Sequence, residues 1–429
     1  MKSFLVDKNY LDTLSNIERK KYLQKVKLVK LLHAEGAKSN AEIYRILNIS
    51  SPTSLILINE LLCEGVIEKK GKGRSIGGRK PELYSLQDDS FFVLCIGMER
   101  FTTEIAILDN NNNNITGTHK FKLKLTEDNS AIGQLYEFAE GIIQTSGISA
   151  KKLIGVGISM PGLVDSKAGK NYTYFFSGDN IKTLQKTLEG MFKKPVYIQN
   201  DVKTNALAEF RFGLAQGRKD VLVLLMDWGI GLGIIMDGKL QSGISGFAGE
   251  IGHMPFVTDG ELCHCGKRGC LETVASGIAL ARMAKQGIQS GETSILNALS
   301  EEEIERIEPH RVIDAANKGD QYAISILSDV GRNLGKAVAT LIQLFNPELI
   351  ILSGKLAEAK QHITLPIKES IKTYCSERIG QNTKIVLSNL THDSGLQVSA
   401  SIVLQNTFKK QIELASYRSA VSLSLSEAS

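Results

Sequence analysis

Tryptophan occurs once in these 429 residues, proline eight times and cysteine six times. Three of the cysteines, Cys63, Cys95 and Cys375, stand alone, so the chain has no disulfide framework of the kind that staples small secreted domains. No apolar run reaches the length of about 20 residues that a membrane-spanning helix needs, and no signal peptide is evident. These absences exclude the secreted mini-protein and membrane classes, and the chain reads as cytoplasmic. Hydrophobic residues make up 42% of it, enough for a sizeable core. The length suits two or three domains.

The other three cysteines fall together in Cys263-His264-Cys265-Gly266-Lys267-Arg268-Gly269-Cys270, ten residues after His253. Three thiolates and one imidazole are what a closed tetrahedral zinc site requires. His253, Cys263, Cys265 and Cys270 are therefore the expected ligands, with Gly266 and Gly269 permitting the turns and the His264 ring pointing away. Four protein ligands leave no open position for water, so the expected Zn²⁺ is structural.

Charge is unevenly distributed. Residues 1–86 carry 16 Lys+Arg against 9 Asp+Glu, and the remainder carries 35 against 37. A basic N-terminal fifth on a near-neutral body suggests a nucleic-acid-binding head.

The pattern within that fifth agrees. Tyr22, Val26, Val29 and Leu32 recur at helical spacing over residues 17–35. Ser39 is placed to cap a helix Asn40–Leu47 with an apolar face of Ile43, Ile46 and Leu47. Ser51-Pro52 opens another, with Ser51 as N-cap and a buried stripe of Leu55, Leu57, Ile58, Leu61 and Leu62. A strand over 66–70, a basic glycine-rich hairpin over 71–81 and a return strand over 83–86 complete a winged helix-turn-helix. In it Thr53 and Ser54 would meet base edges, while Lys69, Lys70, Lys72, Arg74, Arg79 and Lys80 would meet phosphates or the minor groove.

From residue 91 the pattern changes to α/β. Strands are expected over 91–97, 102–108, 115–125 and 153–159, with a helix over 131–146. A second half begins at Val221, with strands over 221–226, 231–236 and 348–352 and helices within 272–285, 322–345 and 396–405. This order occurs in the actin/hexokinase-like (ribonuclease H-like) fold. The expected organisation is a winged head over 1–88, a two-lobed body over 89–415 divided near 200, and a flexible serine-rich tail over 416–429.

Gly157-Ile158-Ser159-Met160-Pro161-Gly162, Asn200-Asp201, Ala248-Gly249-Glu250-Ile251-Gly252-His253, the run Cys263 to Glu272, and Phe345-Asn346-Pro347 together resemble the ROK family of repressors, open reading frames and sugar kinases. The winged head places the resemblance in the repressor branch. It implies a sugar pocket in which Asn180, Asn200, Asp201, Glu250, His253 and Glu272 contact hydroxyls and Gly162 admits close backbone approach. His253 would then serve both metal and sugar. It also implies an operator of double-stranded DNA, a homodimer or dimer of dimers, and a sugar or sugar derivative as effector. Sugar closing a cleft between the two lobes would alter the spacing of the paired heads.

In the family's kinases, Asp201 corresponds to the base that takes the sugar proton. Here the phosphate loops depart from the kinase pattern. Gly97-Met98-Glu99 stands where D-x-G is usual, Asp227-Trp228-Gly229 where G-T-G is usual, and Lys203 where asparagine is usual. Glu99 and Asp227 bring negative charge to a triphosphate site, and Trp228 is too bulky for a backbone cradle. Neither ATP binding nor kinase activity is expected, and Asp201 becomes a vestigial base that accepts from a sugar hydroxyl. The alternative is an ATP-dependent sugar kinase with an attached winged helix.

Overall fold

The computed structural model describes residues 4–6, 8–73, 80–175, 183–391 and 393–426, with side chains as far as 416. Arg74, Arg79 and Asn180 lie outside the described residues.

Helix Asn16–Glu35 begins at a capping box, in which Ser15 Oγ accepts from the Glu18 N–H and the Glu18 carboxylate accepts from the Ser15 N–H. Ser39 and Glu42 repeat the device for helix Asn40–Leu47. Asn48 ends that helix in the left-handed conformation, which asparagine tolerates. Helix Ser51–Cys63 follows at 112° to its predecessor, within the range of about 90–120° of helix-turn-helix pairs. Its N-cap is Ser50, one residue earlier than expected, with Ser50 Oγ accepting from the Thr53 N–H at 3.2 Å.

The buried face of that helix is the expected one except at Leu55, with Leu62 half-buried against the core. Leu57, Ile58 and Leu61 are buried, but Leu55 is 41% exposed. Ser54, expected at base edges, is fully buried and cannot reach them. The reason is its phase: Ser54 precedes Leu57, Ile58 and Leu61 by three, four and seven residues, so it lies on their stripe. On the preceding helix Ile43 is buried while Ile46 is 50% exposed. The wing strands Ile67–Lys72 and Glu82–Leu86 pair antiparallel, with the short strand Lys38–Ser39 on the outer side of the second.

The chain forms two compact units: residues 1–162, 168–199 and 396–429 in one, and 163–167 and 200–395 in the other. This grouping differs from a separate head over 1–88 and a second lobe running to 415. Val26, Leu57 and Ile67 of the head share one apolar core with Phe91 and Val93 of the first lobe and with Leu404 and Phe408 of the last helix. Phe91 and Phe408 meet edge to face at 5.9 Å. That last helix, Ser394–Ser426, also runs through most of the segment expected as a flexible tail.

The first unit's body sheet has the order Val196–Asn200, Leu153–Met160, Phe92–Met98, Thr102–Asp109, His119–Lys122. Phe92–Met98 runs antiparallel to Thr102–Asp109 and parallel to Leu153–Met160. The third strand, expected over 115–125, is confined to His119–Lys122. In the second unit the order is Lys239–Leu240, Ile230–Met236, Val221–Met226, Leu349–Ser353, Lys384–Leu387. Val221–Met226 is again antiparallel to its hairpin partner and parallel to Leu349–Ser353. The same hairpin-plus-parallel pattern thus occurs twice, as the actin/hexokinase-like reading requires. Helix Gln321–Phe345 supplies much of the second unit's core, with Leu327, Val330, Leu334, Val338 and Ile342 buried. Among the described residues no single helix is long and apolar enough to cross a membrane.

Candidate functional site

The segment that carries Glu250 and His253 lies against strand Ile230–Met236. The Leu232 N–H donates to Gly249 O at 2.9 Å. A Cβ at Gly249, whose φ is +95°, would fall 1.8 Å from the Leu232 carbonyl oxygen, so only glycine allows this approach. A single turn, Ile251–His253, then presents the imidazole to the cysteine loop.

In that loop Gly266 and Gly269 adopt φ of +83° and +71°, the turns expected of them. The ligand atoms of His253, Cys263, Cys265 and Cys270 all lie within 4.8 Å of one another. Cys263 Sγ is 3.6 Å from His253 Nδ1, and Cys265 Sγ is 3.6 Å from Cys270 Sγ. A zinc tetrahedron with bonds of about 2.0–2.3 Å has edges of roughly 3.3–3.8 Å, so these two separations match its edges. Burial pushes the Cys263 thiol up to about 12 and raises Cys270. Burial would raise Cys265 too, but the Lys267 N–H and the neighbouring thiols outweigh it and lower that group. A cluster in which one thiolate disfavours the next is one that a dication would stabilise. The Cys/His cluster can hold a metal.

His264 departs from expectation. Its ring, though 59% exposed, is directed to the cluster, with Nδ1 3.1 Å from Glu272 Oε1 and the ring edge-on to His253 at 5.2 Å. The other oxygen, Glu272 Oε2, accepts from the Ile230 N–H at 3.1 Å. Burial would raise the Glu272 carboxyl, but the His264 contact, His253 and this N–H together hold it below the usual range.

Asn200 and Asp201 open helix Asp201–Phe212. Asn200 is its buried N-cap, Oδ1 accepting from the Lys203 N–H at 3.2 Å and Nδ2 donating to Asp201 Oδ1 at 3.0 Å. Asp201 Oδ1 also accepts from the Val202 N–H at 2.8 Å. Burial raises the Asp201 carboxyl to about 7 despite that bond, and the nearby charges of Asp227 and Glu250 add to the rise. Glu250 is raised as well, by burial and by Glu272, against the opposing pull of Lys203. Lys203 is buried and donates to Gly246 O. The second unit therefore brings Asn200, Asp201, Lys203, Glu250, His253 and Glu272 into one polar cluster, of which the sequence had singled out all but Lys203 as sugar contacts. Lys203 was noted only as a departure, although its place one helical turn into the Asn200-Asp201 helix start was a signal. Gly162 lies in the first unit at φ +94°, where a Cβ would crowd Thr173 and Asn171, which is a local reason for glycine.

The residues at the positions expected of phosphate loops make internal bonds. Thr102 Oγ1 donates to the Glu99 carboxylate at 3.1 Å. In the second loop the first N–H groups of helix Gly277–Gln289 donate inward, Gly277 to Asp227 O at 2.8 Å and Ile278 to Trp228 O at 3.1 Å. Asp227 Oδ1 accepts from the Trp228 N–H and lies 3.8 Å from Lys355 Nζ.

On the head, Thr53 is half-buried, and Lys69, Lys70, Lys72 and Lys80 are exposed on the wing. Lys70 lies 3.4 Å from Glu68.

The model of the ROK family matches residues 93–406. The chain belongs to the ROK family. It is 29% identical over 375 residues to a xylose repressor from Caldicellulosiruptor bescii, covering 86% of this chain and 92% of the relative. A solved ROK family transcriptional regulator, a homolog of the E. coli MLC protein, superimposes with a TM-score of 0.73 at 25% identity over 94% of this chain and 99% of the other. A glucokinase from Thermotoga maritima is 30% identical, but over 66% of this chain and 90% of the enzyme. The ROK regulators thus match head and body together, whereas the ROK glucokinase leaves a third of the chain without counterpart. The chain is a ROK transcriptional regulator by this likeness, and its body carries the ROK actin/hexokinase-like fold.

Proposed function

We propose that this protein is a cytoplasmic, sugar-responsive repressor of carbohydrate-utilisation genes. Its winged helix binds operator DNA, and the polar cluster of its body binds a sugar or sugar derivative. The observation that carries this reading is the match of ROK regulators to head and body together, with the head joined to the first lobe and the last helix by one apolar core. Thr53 meets base edges, and Lys69, Lys70, Lys72, Arg74, Arg79 and Lys80 meet phosphates or the minor groove. Asn200, Asp201, Glu250, His253 and Glu272 contact the sugar, whose vicinal hydroxyls suit paired carboxylates and amides.

His253, Cys263, Cys265 and Cys270 would hold a structural Zn²⁺, which supplies rigidity and no open coordination position. Glu272 is then held by the metal loop through His264 and by the strand through the Ile230 N–H, so its carboxylate is oriented before a sugar arrives. Asp201 accepts from a sugar hydroxyl without a phosphoryl transfer step, a reading supported by the negative charge of Glu99 and Asp227 and the bulk of Trp228 where the family's kinases cradle ATP. In a homodimer or dimer of dimers, differential sugar affinity for two arrangements couples to operator affinity. A coupling of about 1–3 kcal/mol corresponds to a roughly 5–150-fold change in DNA binding.

A gel shift with the gene's own upstream DNA, with and without a series of hexoses, pentoses and N-acetylhexosamines, tests this. One sugar should change the shift, and a coupled ADP-release assay with the same sugars should stay at background. Failure to bind that DNA, or robust turnover, would overturn the reading.

A further inference from the structure

The outward face of helix Ser51–Cys63 is made of Pro52, Leu55, Ile56 and Asn59, spaced by three, four and seven residues along one stripe. Leu55 is 41% and Ile56 53% exposed, although the helix has an ample buried side on which apolar residues could have been placed. The helix contains no lysine, arginine or glutamine. Its one acidic residue is drawn back to the first long helix: Lys21 and Lys25 pair with Glu60, and Lys25 Nζ also lies 2.6 Å from Glu64, the C-cap. The exposed stripe is therefore uncharged, apolar but for the Asn59 amide, and accompanied by a wing with Lys69, Lys70 and Lys72 exposed. That combination fits a partner with a regular polyanionic rim and an apolar feature at its centre.

We propose that this stripe reads thymine: the Leu55 and Ile56 side chains pack on thymine C5-methyl groups in the major groove, and Asn59 pairs with adenine N6 and N7. The proposal rests on the DNA-binding reading above and deepens it. In the major groove only thymine offers a methyl group, and the commonest guanine contact needs an arginine or lysine that this helix lacks. Specificity at the positions under the helix is then for A·T pairs, through apolar contact and one amide, while the wing supplies affinity without sequence.

The test begins by selecting binding duplexes from a random library with the full-length protein. Each thymine of the selected half-site is then replaced by deoxyuridine, which removes the C5-methyl and leaves pairing and the minor groove intact. At least one thymine per half-site should lose about three- to tenfold in affinity, the worth of one or two buried methyl groups. Ile56→Ala should lose the same factor on the thymine duplex and nothing further on the uracil duplex, and its surface position spares the fold. Half-sites with a guanine fixed under the helix, or equal binding of thymine and uracil duplexes, would overturn the thymine reading while leaving DNA binding intact. Selection of no duplex at all would remove DNA binding itself, leave the stripe to a protein partner and overturn the inference with it.

Discussion

The Arg19 guanidinium donates through Nε to the carbonyl oxygen of Ala415 at 3.0 Å, and its Nη2 donates to the carbonyl oxygen of Leu414. The arginine is buried, and Tyr22, one turn further along its helix, reaches Gln411 on the same C-terminal helix at 2.6 Å. The first and last long helices are thus fastened by charge-assisted bonds next to their shared apolar core. Arg19→Ala should lower stability by about 2–3 kcal/mol, the worth of one or two such bonds. Urea denaturation followed by circular dichroism would measure it, and an unchanged midpoint would show that the clamp contributes nothing.

Cys265→Ser should remove the bound zinc. Purified wild-type protein should contain about one zinc per chain and the variant close to none, by elemental analysis. Because the ion binds the folded loop and not the unfolded chain, a chelator should lower the wild-type melting temperature and leave that of the variant unchanged. Wild-type protein lacking stoichiometric zinc would end the structural-metal reading.

Glu250→Ala should keep operator binding and lose the response to the sugar that changes the wild-type gel shift. Glu250 lies in the second unit's polar cluster, and the helix and wing proposed to face the operator lie in the first. DNA titrations of the variant at several sugar concentrations would decide it, and a full sugar response would remove Glu250 from the site.

Asp201 gives the protein a defined pH dependence. Its carboxyl is raised from 3.8 to about 7 in the folded chain. Between those values the folded state holds a proton that the unfolded state has released, so stability falls as pH rises from about 4 to about 7 and the loss is complete above that. Asp201→Asn removes the charge that burial penalises. Its gain in melting temperature over wild type should be larger at pH 8 than at pH 4.5. An equal gain at both pH values would show that Asp201 titrates normally.

The Cys/His cluster, the ROK segments, the capping of helix Asn40–Leu47 and the repeated strand order were legible because each depends on residues close in sequence or on a fixed spacing. Gly249 and Gly269 belong to the same class, since a backbone that must bend or approach another strand leaves glycine as its mark. Faces were less legible. Leu55 and Leu57 are the same residue type two positions apart, and only one of them is buried. Helical periodicity shows that a stripe exists but does not set its phase when apolar residues occupy both sides, and so Ser54 was assigned outward when it points in.

Sequence alone determined which chemical groups this chain carries: a thiolate–imidazole cluster able to hold a metal, a carboxylate- and amide-rich set, and a basic head. These follow from residue type and local spacing, because a sulfur, an imidazole or a carboxylate keeps its properties wherever it is placed. The tertiary structure decided what those groups are joined to. It turned His264 onto Glu272, buried Lys203 among the carboxylates and brought the last helix back to fasten the head. Each of these depends on packing between segments distant in the chain, where the free energy of burial selects one arrangement and no local pattern records which.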